Sequence, residues 1–377
     1  MRMLDLSKYI FIDNHAHSLL KDHLQLDVIG VRGCFTESRS MHILETHVPY
    51  TLHYMHMLNC IQRVLGTNSE DDFISVRSRQ QDTTYTRMLF DDISLGAIIV
   101  DDGFRPKDMV TPVQFATLSQ RPVFLCRRLE PILESCLAKA GSFNELEEMF
   151  QQELLRSDPV PPVALKTICG YRGGLDIELV KKQAAAKDFE RIKKIAAKRR
   201  ITRCELYHYF VMQSFELAAY HDLPMQVHAG IGDDDADLKQ CNPLLMQNLF
   251  RISTLQKTKF VLLHCYPFVR EAAFLCSLYA NVYMDLSLAL NIVSTSGQQL
   301  ISEALATAPA SKILAGTDGH TCPETHWYAA LCWKRALSSV LTQLVDDRML
   351  TVPQVQQIAG MILHENANRL YKLQNTP

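Results

Sequence analysis

Short apolar runs recur along the chain, and most of them end in polar or ionisable residues. Tyr9-Ile10-Phe11-Ile12-Asp13 is followed by Asn14-His15-Ala16-His17, and Gly96-Ala97-Ile98-Ile99-Val100 by Asp101-Asp102. Val123-Phe124-Leu125-Cys126 ends in Arg127-Arg128-Leu129-Glu130, and Val163-Ala164-Leu165 leads into Lys166. Met225-Gln226-Val227 runs into His228, Phe260-Val261-Leu262-Leu263 into His264, and Val282-Tyr283-Met284 into Asp285. Ile313-Leu314-Ala315, followed by Gly316-Thr317-Asp318, closes the series. Short apolar runs separated by helical stretches predict buried parallel strands joined by crossover helices. Eight in succession, with polar residues crowded at one end of each, predict an α/β chain folded as a (β/α)8 TIM barrel, whose active site lies at the C-terminal strand ends. The alternative is a doubly wound open sheet; eight runs of one polarity favour closure.

The intervening stretches read as helices. Residues 143–155 place Phe143, Leu146, Met149, Phe150 and Leu154 close to a 3.6-residue period. Residues 189–198 and 206–221 are similar, with Pro224 marking the end of the second, and 327–344 and 352–363 read as closing helices. One connection is anomalous. Residues 18–95 are far too many for a barrel loop of ~2–6 residues, and they contain an amphipathic helix near 51–65. We read residues 1–377 as one domain in which 18–95 is a helical insertion after strand 1, forming a lid or cap over the barrel mouth. A structural or oligomer-contact subdomain is the alternative.

Composition narrows the function classes. Of the 377 residues 47% are hydrophobic and 21% charged, with a formal net charge of −2, which gives no global reason to expect nucleic acid or an anionic membrane as partner. The basic run from Lys193-Lys194 to Lys198-Arg199-Arg200 reads as a solvated helix face. Eleven cysteines contain no C-x-x-C, and Cys126, Cys169, Cys265 and Cys276 lie inside apolar runs, as buried thiols do. The N-terminus has an acidic residue where a signal peptide needs an apolar stretch, and no run reaches the ~20 apolar residues of a membrane span. A cytoplasmic chain acting on a small molecule, possible as a homodimer, is the expectation.

The chemistry sits at the strand ends. Alternate residues on a strand point the same way, so His15 and His17 direct both imidazoles into the barrel. His228, His264 and Asp318 occupy equivalent places after the fifth, sixth and eighth runs. Four histidines and an aspartate so placed predict a site for one or two divalent metal ions, most readily Zn2+, with Mn2+, Ni2+ or Fe2+ also suited to His/carboxylate ligands.

These residues resemble the ligand set of the amidohydrolase superfamily. The stretches Asn14-His15-Ala16-His17, His228-Ala229-Gly230-Ile231-Gly232-Asp233, Asn242-Pro243-Leu244, Leu263-His264-Cys265-Tyr266-Pro267, Thr317-Asp318-Gly319 and Pro323-Glu324-Thr325 are similar to the amidohydrolase 2 group. In particular they resemble the amidohydrolase domain of FluG and nodulin/glutamine-synthetase-like proteins. The resemblance covers 12–370 and is weakest across 18–95; with no synthetase half in the 377 residues, a stand-alone version is expected. It also implies a role for Lys166, since part of the superfamily carries a carboxylated lysine bridging two metals after strand four. An uncarboxylated Lys166 would bind a substrate anion or pair with Glu130.

Around this set, Arg172 is placed to grip a carboxylate, and Arg128 and Glu130, two apart, could both face inwards. Asp233, in the acidic stretch to Asp237, could select an amine, and His320 is a further substrate contact, with His326 nearby. His53 and His56, three apart on the lid helix, read as packing or surface residues. The resemblance implies hydrolysis of an amide or other C–N bond, of γ-glutamyl type by analogy with the fusion partner. Asp318 would be general base and then acid, and His264 would help hold the oxyanion. The competing readings are a mononuclear metal-dependent decarboxylase on the same scaffold and a non-catalytic metal-bearing binding barrel.

Overall fold

A computed structural model describes residues 3–103, 108–157, 160–196 and 200–373. All eight apolar runs form strands: β1 (Phe11–Ala16), β2 (Leu95–Asp101), β3 (Val123–Arg128), β4 (Pro162–Thr167), β5 (Met225–Ala229), β6 (Phe260–His264), β7 (Val282–Asp285) and β8 (Ile313–Leu314). They pair in parallel in sequence order. Every residue of β1, β2, β5 and β6 is buried, because helices cover the outer face and side-chain layers fill the inner one. Ile12, Ala97, Ile99, Cys126, Ala164, Val261, Leu263 and Leu314 form that inner cluster, joined by Ala367, Leu370, Tyr371 and Leu373 from the C-terminal segment.

Between β8 and β1 the ring is closed by bonds that run past the two-residue strand. Asn14 N donates to Ala315 O (3.0 Å), Asp318 N to His15 O (2.8 Å) and His17 N to Gly319 O (2.7 Å). Thr317 N donates to Asp13 Oδ1 at 2.8 Å. The metal-ligand candidates of β1 and of the turn after β8 are thereby fixed to one another through their own backbones.

The expected helices appear with shifted ends. Residues 143–155 form Phe143–Leu154, with the Ser142 side chain accepting from Glu145 N, and 206–221 form Glu205–Tyr220. The helix expected from 189 starts at Lys182 and runs to Ala196, and positions 197–199 of the basic run lie outside the described residues. The helix expected from 327 starts at Pro323, a residue suited to the first turn, and reaches Asp346. The expected closing helix 352–363 is interrupted: Val352–Gly360 passes through a π-helical turn, Met361–Glu365, into Asn366–Tyr371.

The long connection from β1 to β2 holds five α-helices: Val28–Gly33, Met41–Thr46, Leu52–Leu65, Glu70–Ser78 and Asp82–Asp92. The amphipathic segment near 51–65 is the third, ended by Gly66 at φ 68°, a left-handed conformation that favours glycine. Asp82–Asp92 belongs to the barrel wall, where Asp92 Oδ2 accepts from Trp327 Nε1 at 2.7 Å. The segment after Val28–Gly33 reaches the cavity at the barrel mouth. Among the described residues no helix is long and apolar enough to cross a membrane.

Candidate metal centre and active-site cavity

At the C-terminal strand ends lies a cavity of about 730 Å³, lined among others by His15, His17, Lys166, His228, His264 and Asp318. Ligand atoms of His15, His17 and Asp318 all lie within 4.8 Å of one another. Asp318 Oδ1 stands 3.2 Å from His15 Nε2 and 3.3 Å from His17 Nε2. The His264 ring lies 4.5 Å from that of His228 and 5.6 Å from that of His15, centroid to centroid. Lys166 Nζ reaches in from β4, 3.2 Å from His15 Nε2 and 3.9 Å from Asp101 Oδ2.

Hydrogen bonds behind the rings hold them in place, and for His15 they set the tautomer. Gln226 Nε2 donates to Asn14 O (2.8 Å) and contacts Tyr371 Oη (3.0 Å), which turns its Oε1 towards His15 Nδ1 at 2.9 Å. His15 must therefore carry its proton on Nδ1 and present the Nε2 lone pair to the cavity. On the far side Ser287 Oγ donates to Asp285 Oδ1 (3.0 Å) and lies 2.7 Å from His264 Nδ1, where Leu288 N also points at 3.4 Å, so the His264 ring is held from behind.

Two of these residues adopt backbone conformations that are rare outside glycine, His264 at φ 66° and Asp318 at φ 52°. Each is held there by its own N–H, donated to Asp285 Oδ1 (2.7 Å) in His264 and to His15 O in Asp318.

Electrostatics agree with a ligand role. Burial, with Lys166 adding to it, pulls His15 down to about 4, and burial also holds His228 and His264 well below their ordinary value. The imidazoles are neutral at pH 7, as ligands must be. Burial lowers Lys166, although Asp101 draws it back.

The amidohydrolase family profile matches residues 203–373. Over 97% of its length the chain is 28% identical to Protein fluG of Emericella nidulans, and it spans about half of that relative, 46%. A presumed metal-dependent hydrolase of Lactobacillus casei ATCC 334 superposes with a TM-score of 0.90 at 28% identity, covering 99% of each chain. The C-terminal half of the chain thus resembles the amidohydrolases. Uronate isomerase of Thermotoga maritima shares the fold alone, with a TM-score of 0.68 at 12% identity over 96% of this chain and 94% of that one.

Within this barrel most of the expected substrate contacts line the cavity, though several are already engaged. Arg128 is locked to Asp101 (Nη2–Oδ2 2.6 Å). Arg172 Nη2 meets Glu134 Oε1 at 3.2 Å while its buried Nε has no hydrogen-bond partner among the described residues. Asp233 faces the cavity and pairs with Arg39 at 2.9 Å. His320 lines the cavity with Nδ1 against Thr321 Oγ1 (2.9 Å). His326 is buried behind Gly319, 3.6 Å from Asp13.

Glu130 is a correction. β3 ends at Arg128, so the alternation that would turn Glu130 inwards has stopped, and the residue opens the helix Leu129–Lys139. Its Oε1 accepts from Thr167 Oγ1 (2.6 Å), Ile168 N (2.9 Å) and Tyr207 Oη (2.8 Å). It therefore braces the turn after β4, and neither the substrate role nor the pairing with Lys166 holds. His53 and His56 stay in the insertion, on Phe35 O (2.8 Å) and Tyr328 Oη (3.0 Å).

Sequence reasoning missed Gln226, Ser287, Glu134 and Glu37. Gln226 carried a signal, as a polar residue inside the apolar run of β5. Glu37 carried none, because it lies in a part of the insertion without periodicity.

Proposed function

We propose that the chain is a metal-dependent hydrolase that opens an amide or related C–N bond of a small molecule, of γ-glutamyl type. The observation that carries this reading is the convergence of His15, His17 and Asp318. With its Nε2 lone pair facing a carboxylate oxygen, His15 makes an acceptor–acceptor contact that a cation relieves. Asp318 Oδ1 and His228 Nε2 are both buried without a hydrogen-bond donor among the described residues, as ligand atoms awaiting an ion would be. His15, His17, His228, His264 and Asp318 would hold it.

Lys166 fits a second ion in carboxylated form. Burial favours the neutral amine that reacts with CO2, and Asp101 already has Arg128 as its counter-charge.

When bound, the metal would lower the pKa of the attacking water and polarise the scissile carbonyl. Asp318, ionised at neutral pH, takes the proton from the attacking water and passes it to the leaving nitrogen. Arg172, with its bare Nε, grips a substrate carboxylate and orients the scissile bond. The wall supplied by residues 33–39 screens the reacting groups from bulk water.

Elemental analysis of protein purified without chelator tests the reading. Divalent metal is expected at two ions per chain, falling to one or none in Lys166→Ala, and Asp318→Asn should retain fold while losing turnover of γ-glutamyl amides. One ion in both proteins overturns the carboxylated lysine. No bound metal after growth in supplemented medium overturns the hydrolase.

A further inference from the structure

The insertion brings one carboxyl group into the cavity that the chemistry above does not use. Glu37 lines the cavity and makes no hydrogen bond or ion pair to any of the described residues. Its charged neighbours are mainly of its own sign. Burial first, then Asp318 and Asp233, push its carboxyl up to about 7, and Arg39 offsets only part of that. Arg39 itself is exposed and spends its guanidinium on the loop after β5, on Asp233 Oδ2 (2.9 Å), Asp235 Oδ2 (3.4 Å) and Asp234 Oδ1 (3.6 Å).

Tyr171 completes this side of the cavity. Its ring packs on His228 at 4.6 Å between centroids, and its hydroxyl accepts from Asp233 N at 3.2 Å. The hydroxyl fits only because residue 232 is glycine, where a Cβ would come within 1.8 Å of it. Positive charge lines the same cavity: Arg200, like Arg39, is held by the loop after β5, on Asp235 Oδ2 at 3.4 Å. Arg172 follows β4 and is tied to Glu134 of the helix after β3, with a buried Nε left bare, whereas Glu37 faces the ends of β5 and β8. The cavity therefore carries both signs of charge, and Glu37 and Arg172 each bring a group with unspent capacity.

We infer that Glu37, with Asp233 and Tyr171 beside it, is the specificity-determining site for a cationic amine on the substrate, so that the substrate class is an acylated amine with a free ammonium at one end and a carboxylate at the other. This rests on the hydrolase reading for the reaction, but the amine site itself is a binding property. An ammonium group placed there donates a charge-assisted hydrogen bond to a carboxylate that has no competing partner among the described residues, and it relieves the repulsion between Glu37, Asp233 and Asp318. A neutral leaving group gains neither.

Calorimetric titration of the metal-reconstituted full chain with 1,4-diaminobutane, and with 1,4-butanediol as the neutral isostere, tests the inference. The wild type should bind the diamine and ignore the diol. Glu37→Gln should weaken the diamine about 10- to 100-fold, the worth of one hydrogen bond to a charged group, and Glu37→Asp should recover part of the loss. Metal content and circular dichroism of both variants should match the wild type, since Glu37 holds no other part of the fold. Equal diamine affinity in wild type and Glu37→Gln, or wild type that binds diol as well as diamine, or no diamine binding at all, overturns the amine site. Failure of the hydrolase reading shows separately, as absent metal or absent turnover in a protein that still binds diamine.

Discussion

The candidate ligands could be found in the sequence because each stands where an apolar run gives way to a polar residue, and that boundary is where barrel strands open on the mouth. The groups that orient them were harder to see. Ser287 lies two residues past β7, at the first position of the short helix Ser287–Ile292, where no periodicity marks it, yet its hydroxyl links His264 to Asp285. Ser287→Ala should leave the fold intact and weaken metal binding about 10-fold, the lower end of the usual cost of a lost supporting bond. Competition with a chromophoric chelator measures this, and unchanged affinity would show that the His264 ring is oriented by packing alone. Glu130 went the other way. Two-residue alternation pointed it inwards, but alternation holds only while the strand lasts, and β3 stops two residues earlier.

At the scale of elements, the insertion was legible as helical and as out of place, because its length exceeds any barrel loop and its third helix carries an apolar stripe. Its mode of attachment was not legible, since it depends on residues distant in sequence. Arg77, in Glu70–Ser78, forms a fully buried ion pair with Glu324 at the start of the helix Pro323–Asp346, and Tyr85 Oη adds a bond at 2.8 Å. Burial opposes the Glu324 charge, but Arg77 overcomes it and holds the carboxyl at about 2, against an ordinary 4.5. A depressed carboxyl gives its full stabilisation above about 4.5 and loses it as the pH falls from there towards 2. Urea unfolding should therefore show stability falling across that window. Glu324→Gln should flatten the fall and cost about 3–5 kcal/mol at pH 7, because Arg77 is left buried without its counter-charge. An unchanged pH profile in Glu324→Gln would place the acid sensitivity elsewhere.

At the scale of the whole molecule, the eight strands and their order followed from hydrophobic periodicity, since a parallel barrel buries both faces of every strand. What periodicity could not supply was the closure, which depends on backbone bonds between β1 and the turn after β8. If an ion binds the folded state and not the unfolded chain, stripping it with a chelator should lower the melting temperature, and adding it back should restore stability by about 2.7 kcal/mol at a free concentration one hundred times Kd. Calorimetry with and without chelator measures this, and identical melting curves would mean that the centre adds nothing to the fold.

The position of that closure has a consequence for assembly. Asp13 and Thr317 are 304 positions apart, and the histidines and the aspartate on either side of them meet only when the last strand docks against the first. A nascent chain cannot present the full ligand set until Asp318 has been synthesised, so an ion that binds there would be a late arrival, loading after the ring has shut. A circular permutant opened between β4 and β5, with the old termini joined, would make the same contacts local in sequence. It should acquire metal earlier in refolding than the native order of strands allows.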